Sequence, residues 1–224
     1  MKQRRSKTIH LKDVNIFKGF AQEQLDQYLA LFHNRSFMAG ERIHFNHLQE
    51  DAIFIVKKGR VKISYFSEDG SEFIVTILRP GDVFSRHSEA ILTPMERTDI
   101  WLILTKDFKK ILADHPLVSM MLIQELGKIM RLMNDVIQDL AFREVSGRIA
   151  HLLLRETADT GSSHTNGPEA AELNLTHENL ASMVGSSRQT VTGILNRMVQ
   201  RKIVSQRRGK ITIINREALK NYAD

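Results

Sequence analysis

Residues 176–198 read THENLASMVGSSRQTVTGILNRM. Thr176 stands before a run in which Leu180, Met183 and Val184 recur at helical spacing, and a threonine hydroxyl there can cap the free N–H groups of a helix start. Gly185 follows as a residue that tolerates the left-handed corner ending a helix. Ser186 or Ser187 can cap a second helix, whose buried stripe is Val191, Ile194, Leu195 and Met198. The spacing predicts two helices joined by a tight turn.

The second helix opens on Ser186, Ser187, Arg188, Gln189 and Thr190. An arginine pairs with guanine and a glutamine with adenine through two hydrogen bonds each, and helix-turn-helix readers offer this end of the helix to the major groove. Serine and threonine suit phosphates. An ordinary helical corner with its polar face in water would share the pattern, so the continuation matters. It reads VQRKIVSQRRGKITIINREAL over 199–219. Ile203 and Val204, then Ile211, Ile213 and Ile214, make two short strand runs around the basic turn Arg207-Arg208-Gly209-Lys210. Helix, turn, helix and wing in that order predict a winged helix-turn-helix with Arg207 and Lys210 on phosphates.

At 224 residues the chain has length for more than one domain. No apolar run approaches the roughly 20 residues that span a bilayer, and the start MKQRRSK lacks a signal-peptide core. The expectation is a cytoplasmic protein with no membrane partner. Cysteine is absent, which removes disulfides, thiolate zinc sites and cysteine-held iron–sulfur clusters. A net charge of +6 with pI near 9.6 agrees with double-stranded DNA as partner. Nothing resembles a catalytic triad, a phosphate loop or a zinc-protease helix, so no enzyme is expected.

Upstream, residues 1–12 carry five basic and no acidic side chains. Phe17, Phe20, Leu25, Leu29 and Leu31 suggest one or two short helices. From Arg35 to Thr105 the period is that of strands: Asp51–Val56, Arg60–Phe66, Glu72–Leu78 and Asp99–Leu104, punctuated by glycines. Lys57 to Arg60 and Glu68 to Gly70 look like hairpin turns. Even spacing of this kind predicts a small antiparallel barrel or jelly roll.

Beyond Phe108 the period becomes helical as far as Phe142, with a stripe of Leu117, Met121, Ile129, Met133, Val136, Ile137 and Leu140. A helix that long can cover the barrel and still pair with its twin, and readers of paired half-sites need such a seam. A homodimer on a palindromic operator is therefore expected. Another amphipathic helix covers 142–157, and the polar 157–172 is a loop. The resulting α+β division is an effector barrel at 1–112, a dimerisation helix at 113–142 and a winged helix-turn-helix at 143–224.

This order resembles the Crp/Fnr family of bacterial transcription regulators over essentially the whole chain. VKKGRVKI and LRPGDVF are similar to its glycine-marked barrel turns, and GSSRQTVTGILNRM to its recognition helix, with Arg188 and Gln189 at base-reading positions. The resemblance implies a barrel-bound effector that controls DNA binding, and RNA polymerase as a further partner.

The effector stretch is GDVFSRHSEAILTPMERTDI, residues 81–100. Arg97 and Thr98 could imitate the Arg-Ser phosphate grip of cyclic-nucleotide members, while the acidic ribose anchor has no counterpart, Glu89 being displaced. GDVFSRH with MERTD resembles more closely the carbon-monoxide-sensing haem regulators of the CooA type. That resemblance implies haem b, with His87 as axial ligand of reduced iron, CO as effector and activation of transcription as the response. Ser85 stands where that family has cysteine, and Met1-Lys2 where it has an N-terminal proline that ligates iron. Phe84, Ile91, Leu92 and Trp101 offer an apolar wall. Two other readings stay open: a regulator answering to a nucleotide or small organic effector through Arg97, and a haem protein that does not bind DNA.

Overall fold

The computed structural model describes residues 8–43, 51–85, 90–159, 172–207 and 209–223. Contacts divide the chain into two compact units, Met1–Phe66 with Ile74–Met130, and Ser67–Phe73 with Arg131–Asp224.

The first unit is an antiparallel sandwich with the expected jelly-roll character. One sheet has the order β1 (His33–Phe37), β7 (Thr98–Leu104), β2 (Ala52–Lys58), β5 (Val83–Ser85), and the other β4 (Glu72–Leu78), β3 (Val61–Phe66), β6 (Ile91–Pro94). The strand runs read from sequence correspond to β2, β3, β4 and β7, while β1, β5 and β6 are additional. Gly70, with φ at 84°, turns the chain between β3 and β4, which are neighbours. The turn at Lys57 to Arg60 is different from the expected hairpin. It carries the chain from β2 in one sheet to β3 in the other. Gly59 there has φ at 93°, and a Cβ on it would lie 2.4 Å from Thr98 Oγ1 and 2.9 Å from the Arg97 carbonyl oxygen. Only glycine fits.

Alternation along β7 separates two cores. Ile100 and Leu102 point to the sandwich interior with Ala52 and Phe54. Trp101 and Ile103 point the other way, into a cluster with Phe17, Leu25, Phe108, Ile111 and Val118. Trp101 is thus not in a wall with Phe84 and Leu92, which share a different cluster. The outer cluster is built by two 3-10 turns (Leu11–Asp13 and Asn15–Phe17), α1 (Gln22–Leu29), α2 (Thr105–Asp114) and the start of α3 (Pro116–Phe142). The helical period after residue 104 is therefore two helices, broken at His115, which is followed by a proline at the first position of α3. A proline there lacks only an N–H that a helix start leaves unpaired anyway.

On α3, Val118 is fully buried and Met121 and Leu122 pack on the same core. Met121 accordingly leaves the proposed stripe. Ile123, Leu126, Met130, Met133, Ile137 and Leu140 recur at alternating spacings of three and four, and five of the six are exposed, by 44–72%. That is the repeat of a coiled-coil seam.

The second unit holds α4 (Val145–Asp159), β8 (Glu172–Leu173), α5 (His177–Val184), α6 (Arg188–Gln200), β9 (Val204–Arg207), β10 (Lys210–Ile213) and α7 (Arg216–Ala223). Its sheet has three strands in the order β8-β10-β9. Thus the segment read as loop over 157–172 ends in a strand and begins inside α4. Asp139 near the end of α3 is buried and binds the Arg143 guanidinium at one oxygen and His151 Nδ1 at the other, the latter at 2.8 Å. Arg143 Nε also donates to the Ala223 carbonyl oxygen at 2.7 Å. One buried carboxylate thereby holds α3, α4 and α7 in register.

Candidate nucleic-acid interface and effector barrel

The helix corner is built as the spacing predicts. Thr176 Oγ1 accepts from the Asn179 amide at 3.1 Å and Ser187 Oγ from the Thr190 amide at 3.0 Å, so each helix has its N-terminal cap. Gly185 takes the left-handed conformation at φ 60°, and a Cβ there would also press on Leu140 at 3.2 Å. Arg148 of α4 donates to the Val184 carbonyl at 2.7 Å, satisfying the end of α5. Val191, Ile194, Leu195 and Met198 are buried against this frame. Arg188, Gln189 and Thr190 are left exposed on the first turn of α6, and Ser186 is half-buried. Ser187 and Thr190 are occupied with each other, Oγ to Oγ1 at 2.8 Å.

Beside that turn lies a cleft of about 480 Å³ lined by Thr176, His177, Arg188, Gln206, Arg207 and Lys210, among others. His177 spans its base. Nδ1 meets Thr192 Oγ1 at 2.9 Å and Nε2 meets Gln206 Oε1 at 3.0 Å, so α5, α6 and β9 share one ring. Arg207 and Lys210 are paired across β9 and β10. Lys210 is neutralised by Glu172 at 2.8 Å, whereas Arg207 is exposed and has no ion pair among the described residues. Sequence reasoning missed both the His177 bridge and the Glu172 pairing. The first depends on β9 lying beside α5 and α6, the second on β8 pairing with β10, and no local pattern encodes either.

In the barrel, Phe84 and its partner across the sheet, Phe54, line a small apolar void with Ile43, Val56, Val61, Leu78, Leu92 and Ile100. Its volume is about 10 Å³, room for one water at most. Thr98 is fully buried, and its hydroxyl donates to the Glu96 carbonyl at 2.9 Å. Arg97 is exposed in the same turn, and Arg60 pairs with Glu96 at 3.1 Å. Ser85 ends β5. His87, Glu89, Arg208 and Met1-Lys2 lie outside the described residues. Among the described residues no three His, Cys, Asp or Glu side chains gather as a metal site, and no helix is long and apolar enough to cross a membrane.

Residues 34–115 match the Cyclic nucleotide-binding domain family and residues 147–222 the Crp-like helix-turn-helix domain family, together most of the chain. The chain belongs to the Crp/Fnr family. It is a Crp/Fnr-type DNA-binding transcription regulator. The CRP-like cAMP-activated global transcriptional regulator of Mycobacterium tuberculosis is 29% identical over 194 residues, covering 83% of this chain and 85% of that one. The global nitrogen regulator of Synechococcus elongatus is 27% identical over 82% of this chain and 86% of its own. Among solved Crp/Fnr structures, a CooA variant from Carboxydothermus hydrogenoformans superposes with TM-score 0.81 at 25% identity, over 99% of this chain and 98% of that one.

Proposed function

We propose that this Crp/Fnr regulator is a homodimeric haem-based sensor of CO, with His87 as the protein ligand of reduced iron. The observation that carries the reading is the stretch GDVFSRH with MERTD, joined to a barrel interior whose described lining is wholly apolar around Phe84. A porphyrin suits apolar walls and an imidazole ligand; the void around Phe84, about 10 Å³, is far smaller than a porphyrin, so these walls part to admit one. The likeness to CooA along the full chain supports it. Haem, when bound, supplies an iron atom that can take up CO.

The chain's own part is to hold, exclude and transmit. His87, two residues beyond β5, holds the iron, and Phe84 with its neighbours keeps water away. Ser85 contributes no thiolate, so iron in its oxidised state needs another ligand. The seam of α3, from Ile123 to Leu140, is the interface of two copies and the bistable element whose repacking turns Arg188 and Gln189 toward a palindromic operator. Activation of transcription through RNA polymerase is the response that the CooA-type resemblance adds to occupancy of that operator.

A second reading has its own support: the cyclic nucleotide-binding domain match and the name of the mycobacterial relative, with Arg97 exposed for an anionic effector. Against it, the Thr98 hydroxyl is already engaged with the backbone, leaving the phosphate grip half made. The absorption spectrum of protein produced with ample haem separates the two. A Soret band that shifts with CO, together with CO-dependent DNA binding, is expected. Absence of the band, with cyclic AMP binding in a calorimeter that is lost in Arg97→Ala, would establish the second reading instead.

A further inference from the structure

The outward face of α6 has a gap in its middle. Gly193 follows Gln189 by one turn and precedes Arg197 by one turn, on the face opposite Val191, Ile194, Leu195 and Met198. A glycine inside a helix lowers its stability relative to alanine, and nothing among the described residues requires one here. Its φ is that of an ordinary helix, and an added Cβ would meet a single atom within 4 Å: Nη1 of Arg197, at 4.0 Å. Space is therefore left on the reading face without any structural need for it, and the neighbour at its edge is a guanidinium.

Helical side chains lean toward the N-terminus, so a residue covers the turn before its own. Arg197 does this. Its Cα lies toward the flank of the outward face, and its guanidinium comes back to the centre of that face beside Gly193. Arg197 is exposed, and its side chain has no hydrogen bond or ion pair among the described residues. The other arginine of the next turn is committed elsewhere: Arg201 donates to the Tyr222 hydroxyl at 2.5 Å and stacks on that ring. A free, planar, five-donor fork on the face that carries Gln189 is suited to guanine O6 and N7.

We infer that Arg197 is a specificity-determining residue of DNA recognition, seated over Gly193 so that its guanidinium reads a guanine edge beyond the positions read by Arg188 and Gln189. A side chain at 193 longer than that of alanine would contest the place the fork takes. The inference rests on α6 being the recognition helix.

The test is selection of binding sites from a randomised palindrome by the full chain, at protein concentrations and low salt that give occupancy without added effector. Wild type, Arg188→Ala, Arg197→Ala and Arg197→Lys are compared, with thermal melting as the control for folding. Arg197→Ala is expected to melt like wild type, to lose a guanine preference at one position of each half-site, and to keep the position lost in Arg188→Ala. Affinity for the selected site should fall roughly 5- to 150-fold for each half-site, the two factors multiplying over the palindrome, as for one paired arginine–guanine contact per protomer. Arg197→Lys, a point charge without the fork, should not restore the preference. A uniform loss on all sequences with a salt slope smaller by about one for each protomer bound would make Arg197 a phosphate contact and overturn the inference. So would an unchanged selected site in Arg197→Ala. Should Arg188→Ala also leave the site unchanged, the assignment of α6 as reader fails with it.

Discussion

His177 Nε2 lies 3.0 Å from Gln206 Oε1, and the opposite nitrogen of the same ring lies 2.9 Å from Thr192 Oγ1. An amide oxygen only accepts, so Nε2 donates, and in the neutral ring Nδ1 accepts the threonine hydroxyl. The bridge fixes the wing relative to the recognition helix. His177→Ala is expected to cost about 0.5–1.5 kcal/mol of stability for each bond lost. Matched and scrambled DNA should both bind more weakly, because the wing's phosphate contacts lose their register. Anisotropy titrations on both sequences check this. Loss confined to the matched sequence would assign His177 to base reading instead.

The two wing cations are unequal. Lys210 is held by Glu172 at 2.8 Å, while Arg207 projects without an ion pair among the described residues. Arg207→Ala should weaken binding to all sequences and reduce the slope of log K against log salt by about one for each protomer bound. Lys210→Ala should do less, and Glu172→Gln should tighten binding at low salt. Equal effects of Arg207→Ala and Lys210→Ala would show that DNA displaces Glu172 from its lysine.

Much of this was legible locally. The helix corner follows from Thr176, Gly185 and Ser187 at capping positions and from apolar residues at helical spacing, all interactions within one or two turns. Strands β2, β3, β4 and β7 were equally clear because each is six or seven residues long. The shorter β5, β6 and β8 contain two to four residues, too few to display a period of two. Trp101 is a core residue, but of a different core from Phe84 and Leu92, and composition marks it as apolar without saying which face of β7 it takes. Its neighbours Ile100 and Leu102 carried that information through alternation. The apolar repeat of α3 was legible in outline, but the stripe read from sequence mixed Met121, which faces its own core, with Ile137 and Leu140, which are exposed. Ile123, Leu126 and Met130 complete the three-four repeat. His87, the proposed haem ligand, lies outside the described residues and rests on its motif alone.

The turn at Gly59 couples β2 to the Arg97–Thr98 segment. A methyl there would meet Thr98 Oγ1 at 2.4 Å and backbone atoms within 3 Å, in a left-handed conformation. Gly59→Ala combines a steric clash with backbone strain, and a loss of about 2 kcal/mol or more is expected. Chemical denaturation measures it. A loss below about 0.5 kcal/mol would mean that the turn yields and that Thr98 is not held as tightly as its burial suggests.

The exposed repeat on α3 has a direct consequence for assembly. Ile137 is 62% exposed and Met130 72% exposed in a single chain, so a carboxylate at either position is tolerated by the monomer. In a coiled-coil seam the same carboxylate is buried against its symmetry mate, without a partner, at a cost of several kcal/mol. Ile137→Glu should therefore leave the circular dichroism of the folded chain nearly intact while sedimentation shows monomers at concentrations where wild type is dimeric. DNA binding should fall more steeply than for any single change on α6, because one half-site must then be held without the other. Ile137→Leu keeps volume and apolarity and should remain dimeric. If Ile137→Glu sediments as a dimer of wild-type stability, two copies meet through another surface, and the repeat from Ile123 to Leu140 serves a different partner.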